Sequence, residues 1–129
     1  FSLSMARMVM LEPLEADIQA RLIKGLEKRG WYVQKTEGRS RNGFPDVTVV
    51  DTFGNTWFIE LKRTVGRPSE DQRRELAQLA AHNANTMLVY GLKGVEWLLS
   101  VKDWRDMTNR RCELLTINSE GEPKWVKRI

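Results

Sequence analysis

The chain reads as an α/β protein: a central mixed β-sheet flanked by helices, with a hairpin added at the C-terminal end. Two patterns predict this class. Apolar residues recur with helical spacing near the N-terminus, then switch to strand-like alternation over three consecutive short segments. Beyond these, helix-type and strand-type segments alternate, and a strand reached through a helix has the crossover it needs to lie parallel to its predecessor. With 129 residues, 41% of them hydrophobic, the chain has material for one domain around one core.

The first element spans residues 13 to 29, PLEADIQARLIKGLEKR, opened by Pro13 and stopped by Gly30. Leu14, Ile18, Leu22 and Leu26 recur every fourth residue, and Ile23 widens the stripe. Asp17, Arg21, Lys24, Glu27 and Lys28 fall on the opposite side. Glu15 breaks the pattern: at about 100° per residue it sits in the middle of the apolar face, with Gln19 one turn later beside it. WYVQKT (31–36) follows as a strand, then the polar loop EGRSRNGFP, then DVTVVD and TWFIELKR as two more strands. TVGRP is a connection. Ser69 with Gln72 three residues on forms a capping-box signature for a helix running to about residue 84. TMLVYG is a strand ended by a Gly, residues 94 to 104 a third helix, and ELLTINSEGEPKWVKRI a hairpin turning at Glu120-Gly121. Residues 1–12 form an N-terminal segment, 13–104 the main domain and 105–129 a C-terminal extension of it. FSLS before Met5 reads as a remnant of cloning and is left out of the fold expectation.

Composition narrows the function. No apolar run approaches the ~20 residues of a membrane span, and the N-terminus lacks the basic and apolar regions of a signal peptide. A lone cysteine, Cys112, forms no internal disulfide, and one histidine, His82, leaves no Cys/His zinc cluster. A reducing, cytoplasmic-type compartment is expected. His82 reads as a surface residue capping a helix end, and Cys112 as inert. The net charge is +4, with Arg39 and Arg41 before the second strand, Arg63, Arg67, Arg73 and Arg74 after the third, and Arg110, Arg111, Lys124, Lys127 and Arg128 towards the end. This distribution suits a polyanionic partner.

Charges inside the strands are the sharpest signal. Side chains alternate along a strand, so Phe58, Glu60 and Lys62 share one face, and Asp46, Thr48 and Val50 go together. A three-residue loop Thr52-Phe53-Gly54, with Gly at the left-handed third position, pairs Asp51 with Asn55 and sets Asp46 opposite Glu60. Both carboxylates then converge to within ~5 Å of one point. Opposed carboxylates repel, so something positive must join them. Two solutions follow from the residues: a structural ion pair with Lys62, or a divalent cation such as Mg²⁺, which binds to one or two carboxylates, waters and phosphate oxygens. Glu15 either joins this cluster or pairs with Lys35.

The stretch GFPDVTVV…WFIELKRTVGRPSEDQ carries Pro45-Asp46, then Glu60-Leu61-Lys62 after 13 intervening residues. This resembles the PD-(D/E)XK nuclease signature. With the preceding Gly, the GRPS-x-x-Q continuation and the E-x-x-I-Q of the first helix, it is similar to the virus-type replication-repair nuclease (VRR-NUC) domain, over about residues 15–99. The resemblance implies a restriction-endonuclease-like sandwich. It implies that Asp46, Glu60 and the Leu61 carbonyl are metal ligands, with Glu15 the first-helix acid and Lys62 the catalytic lysine. Gln72 matches the family's glutamine after the lysine motif, beside its reading as a helix cap. The cofactor implied is Mg²⁺ or Mn²⁺, and the activity is that of an endodeoxyribonuclease cutting branched DNA, in the manner of Holliday-junction resolvases working as homodimers. A phage- or prophage-encoded protein of a bacterial cytoplasm is the matching setting. Arg39, Arg41, Arg63, Arg67 and Arg73 are the expected DNA contacts. A non-catalytic DNA-binding module of a phage replication complex is the alternative.

Overall fold

The computed structural model describes residues 12–108 and 112–127. Helix α1 (Glu15–Lys28) leads into strands β1 (Tyr32–Lys35), β2 (Val47–Val50) and β3 (Thr56–Lys62). Helix α2 (Glu70–Ala81), strand β4 (Asn85–Tyr90), helix α3 (Gly91–Ser100), a single 3₁₀ turn (Arg105–Met107) and strands β5 (Leu114–Ile117) and β6 (Pro123–Val126) complete the order. All six strands form one sheet in chain order. The first three are antiparallel, β4 and β5 run parallel to β3, and β6 returns antiparallel to β5. The fold is therefore the α/β sandwich with a mixed sheet, and the C-terminal hairpin extends that sheet by two strands.

Strand alternation sorts the core into two layers. On one face, Ile18, Leu22 and Leu26 of α1 and Val95 and Leu98 of α3 pack on Val47, Val49, Trp57, Ile59, Leu61, Met87, Val89, Leu115 and Ile117. On the other face, Leu76 of α2 meets Leu88 and Leu114. Trp104 closes the larger layer, edge-on to Trp31 at 4.8 Å and to Trp57 at 5.3 Å between ring centroids. Its indole N–H donates to the Leu98 and Val101 carbonyls, which satisfies the one polar atom it buries. Among the described residues no helix is long and apolar enough to cross a membrane.

Three sequence expectations need correcting. The third helix starts at Gly91 rather than Gly94 and ends at Ser100, so Trp104 lies beyond it. Gly91 at φ +68° makes the sharp exit from β4 that lets the helix begin at once. The second helix stops at Ala81, where His82 caps it and its Nδ1 pairs with the Gln78 carbonyl. Leu14 is the cap residue of α1 and is 62% exposed, so the buried stripe starts at Ile18. Cys112 is exposed at the surface, its thiol directed at the Ala81 carbonyl. Residues 1–11, Arg110, Arg111 and Arg128 lie outside the described residues.

Candidate active site

The β2–β3 hairpin sets the geometry. Asp51 N–H donates to the Asn55 carbonyl at 3.0 Å, and the Asp51 carboxylate accepts from the Phe53 and Asn55 amides at 2.9 Å each. Gly54 takes φ +81°, the left-handed position that a three-residue loop needs. The register runs from Val50–Thr56 to Val47–Ile59, so the next step places Asp46 beside Glu60. Asp46 is fixed from two directions. Its carbonyl accepts from Thr36 N at 2.8 Å, and its Oδ2 accepts from Leu61 N at 2.9 Å. In extended backbone the N–H and C=O of one residue point to the same side, so the Leu61 carbonyl also faces the Asp46 side.

Glu15, on the first turn of α1, completes the group. One carboxylate oxygen from each of Glu15, Asp46 and Glu60 lies within 4.8 Å of the others. Lys62 Nζ stands 3.5 Å from Glu60 Oε2 and 3.7 Å from Glu15 Oε1. Lys35 is not Glu15's partner; its charge acts on Asp46 instead. The structure thus brings Glu15, Asp46, Glu60 and Lys62 into one cluster at the C-terminal end of β3.

The electrostatics are severe. Glu60 is fully buried and, among the described residues, no donor gives either oxygen a hydrogen bond. Burial first, then the Asp46 charge, push its carboxyl up to about 8, against the pull of Lys62. Asp46 and Glu15 are also raised, in both cases chiefly by burial. The Leu61 amide opposes this at Asp46, and the Lys62 ammonium opposes it at Glu15. Both carboxyls of the Asp46–Glu60 pair are raised, so the pair holds a proton to higher pH than separate carboxylates would. With all three carboxylates ionised, one ammonium leaves two negative charges uncompensated. A cluster of oxygens with orphaned lone pairs and a twofold charge deficit fits a hard divalent cation.

Elements around the cluster hold it in place. Gly43 at φ +80° backs onto the first turn of α2, where a Cβ would stand 2.4 Å from the Asp71 carbonyl group. Only glycine fits there, and it seats the loop leading to Asp46 against that helix end. Gln72 is occupied in the capping box: its Oε1 accepts from Ser69 N at 2.8 Å and Ser69 Oγ accepts from Gln72 N at 3.2 Å. The five arginines expected at DNA divide into two sets. Arg41 is tied to the buried Glu75 at 2.8 Å, and Arg63 to Glu12 at 3.7 Å. Arg39, Arg67 and Arg73 are exposed and make no ion pair with a carboxylate among the described residues. Glu12 and Glu75 were not singled out by the sequence, because their partners lie about fifty and thirty residues away in the chain, beyond any local pattern.

Against this geometry the family model of the VRR-NUC domain matches residues 10–93. The chain belongs to the VRR-NUC family. A solved structure titled "VRR_NUC domain" is similar at 29% identity and a TM-score of 0.62, covering 69% of this chain and 97% of that one. A structure of Pyrococcus furiosus SfsA with Ca²⁺ is matched at 20% identity, over 86% of this chain and 58% of that one, at a TM-score of 0.40. No curated protein matches. Membership makes this a nuclease-type, DNA-binding domain, and the VRR-NUC region spans α1 through the start of α3, which includes all four clustered residues.

Proposed function

We propose that this VRR-NUC domain is a divalent-metal-dependent endodeoxyribonuclease that cuts branched DNA. The observation that carries the reading is Glu60, a buried carboxylate without a hydrogen-bond donor, converging with Asp46 and Glu15 beside Lys62. Asp46, Glu60 and Glu15, with the Leu61 carbonyl, would hold Mg²⁺ or Mn²⁺, which when bound supplies Lewis acidity towards water and the phosphate oxygens.

The chain's own residues divide the remaining work. Asp46 is held rigid by the Leu61 amide, so its carboxylate stays aimed while substrate enters. Lys62, anchored between Glu60 and Glu15, stands where it orients the attacking water or neutralises charge growing on the phosphate. Glu15 comes from a different element, so α1 and the hairpin must be packed for the site to exist. Gln72 caps α2, with its Oε1 taken by the Ser69 amide. Arg39, Arg67 and Arg73 supply unpaired positive charge for the DNA backbone, while Arg41 and Arg63 chiefly order their loops. The described residues of one chain carry one such site, and symmetric cleavage of a four-way junction needs two, which a homodimer provides.

The test is cleavage of labelled flap, splayed, nicked and four-way DNAs with Mg²⁺ or Mn²⁺, combined with sedimentation of the protein alone and on a junction. Metal-dependent cuts near the branch point and a two-to-one complex support the reading. DNA binding without any cut would leave a non-catalytic module.

A further inference from the structure

Resting on the nuclease reading above, the β4 terminus adds a residue to the site that the sequence signature does not contain. Lys62 and Tyr90 are direct partners in the parallel β3–β4 register. Neighbouring strands lie about 4.8 Å apart and in-register side chains point to the same face. The phenol ring therefore stands next to the Lys62 side chain, on the face that carries Glu60. Its base packs on the Leu76, Leu88 and Leu114 cluster, and the residue as a whole is half-buried.

The connection after β3 folds back to the same place. Gly66 N–H closes a turn onto the Arg63 carbonyl at 2.9 Å. Gly91, the residue after Tyr90, lies so close to Thr64 that a Cβ there would stand 2.9 Å from Thr64 Oγ1. These contacts pin the 63–67 loop, which ends in Arg67, against the end of β4, the strand end that carries Tyr90. Burial pushes the Tyr90 phenol up and the Arg67 charge pulls it back, as a nearby guanidinium must. Arg67 differs from its neighbour Arg63, whose charge is already met by Glu12. A half-buried tyrosine and, on the loop pinned against its strand end, an exposed arginine with no acid partner among the described residues, both at the margin of a phosphodiester site, have the chemistry of a phosphate grip.

We propose that Tyr90 and Arg67 together hold a DNA backbone phosphate next to the one that is cut, with the phenol O–H and the guanidinium as the donors. Tyr90 is a substrate-binding residue in this scheme, and its contribution is alignment of the strand over Lys62 and the carboxylates.

The test uses Tyr90→Phe, which keeps the ring and its packing, with Arg67→Gln and Arg67→Lys. Read-outs are KM and kcat on the best-cut DNA, affinity for the same DNA measured metal-free by fluorescence anisotropy, Mg²⁺ affinity by calorimetry, and Tm. Losing a hydrogen bond to a charged group weakens binding by about tenfold or more, so Tyr90→Phe and Arg67→Gln should each raise Kd and KM by about that factor. Arg67→Lys should recover part of the loss, and Mg²⁺ affinity and Tm should stay at wild-type values. If the wild type cuts and Tyr90→Phe matches it in Kd, KM and kcat, the grip is overturned and the nuclease reading stands. If the wild type cuts none of the DNAs, the nuclease reading falls and the grip falls with it.

Discussion

A carboxylate buried without a donor, as Glu60 is, makes the metal-free protein sensitive to pH. Its ordinary value is 4.5 and in the fold it is pushed up to about 8. Between those values the folded chain holds a proton that the unfolded chain has released. Stability from this group is therefore fully present below pH 4.5, declines as pH rises and is lost above about 8. Asp46 and Glu15, also raised, act with the same sign. Thermal unfolding followed from pH 5 to about 8.5 should show Tm falling with pH over the window set by the linkage. Saturating Mg²⁺ should flatten the slope, because an ion that binds only the folded state stabilises it. Glu60→Gln should remove most of the slope and raise Tm at neutral pH. A slope unchanged by that substitution would mean that other groups control it. Lys62→Ala should behave differently, lowering turnover by about 10²–10³ with Mg²⁺ affinity little changed. A loss confined to metal binding would remove Lys62 from the chemistry. Both carboxylates and the lysine were legible in the sequence because charges inside strands are conspicuous. Glu15 was conspicuous for the same reason, as an acid set within an apolar helical stripe.

The elements were legible in proportion to how local their signals are. The hairpin loop, the capping box and the helical stripe each rest on spacings of no more than four residues; the structure shows the first two, and the stripe from Ile18 onwards, with Leu14 exposed. The start of α3 was misplaced because a Gly after an apolar strand reads as a stop, whereas here the left-handed Gly91 is the corner itself. Gly43 is the most exacting element contact. Gly43→Ala would need both φ +80° and a Cβ pressed into the backbone of α2, and should cost roughly 1–3 kcal/mol. Urea unfolding measures that cost, and a wild-type midpoint would show that the loop does not depend on the contact. The α2 cap separates two roles for Gln72. Ser69→Ala should lower stability by about 1 kcal/mol and leave the cleavage rate near wild type at a temperature where both are folded. Gln72→Ala should match it in stability. If Gln72→Ala cuts no more slowly than Ser69→Ala, the glutamine is a cap and nothing more.

At the scale of the molecule, the sequence could predict a mixed sheet and the β2–β3 hairpin register but not the β3–β4 register, because a helical crossover fixes neither the neighbour nor the alignment of the next strand. That alignment brings Tyr90 beside Lys62, and the packing of α2 and of the segment before α1 brings Glu75 to Arg41 and Glu12 to Arg63. The sorting of arginines into paired and unpaired sets is likewise a property of the whole fold. DNA affinity of a Glu60→Gln variant should fall steeply between low and moderate salt, since each neutralised phosphate releases counterions. Arg67→Gln or Arg73→Gln should reduce the salt slope by about one, whereas Arg41→Gln should act mainly on stability, by leaving Glu75 buried without its partner. A salt-independent affinity would contradict a backbone-tracking surface. The central claim, that the carboxylate cluster is a metal-dependent cutting site, is tested most directly by one side-by-side assay. Wild type and Glu60→Gln, both confirmed folded, are incubated with a labelled four-way junction and a labelled flap in Mg²⁺, Mn²⁺ or EDTA. The structure predicts that the wild type cuts only with metal, and that Glu60→Gln binds the same DNA but cuts it at least about a hundredfold more slowly. Equal cutting by both proteins, or no cutting by a folded, metal-loaded wild type, would contradict it.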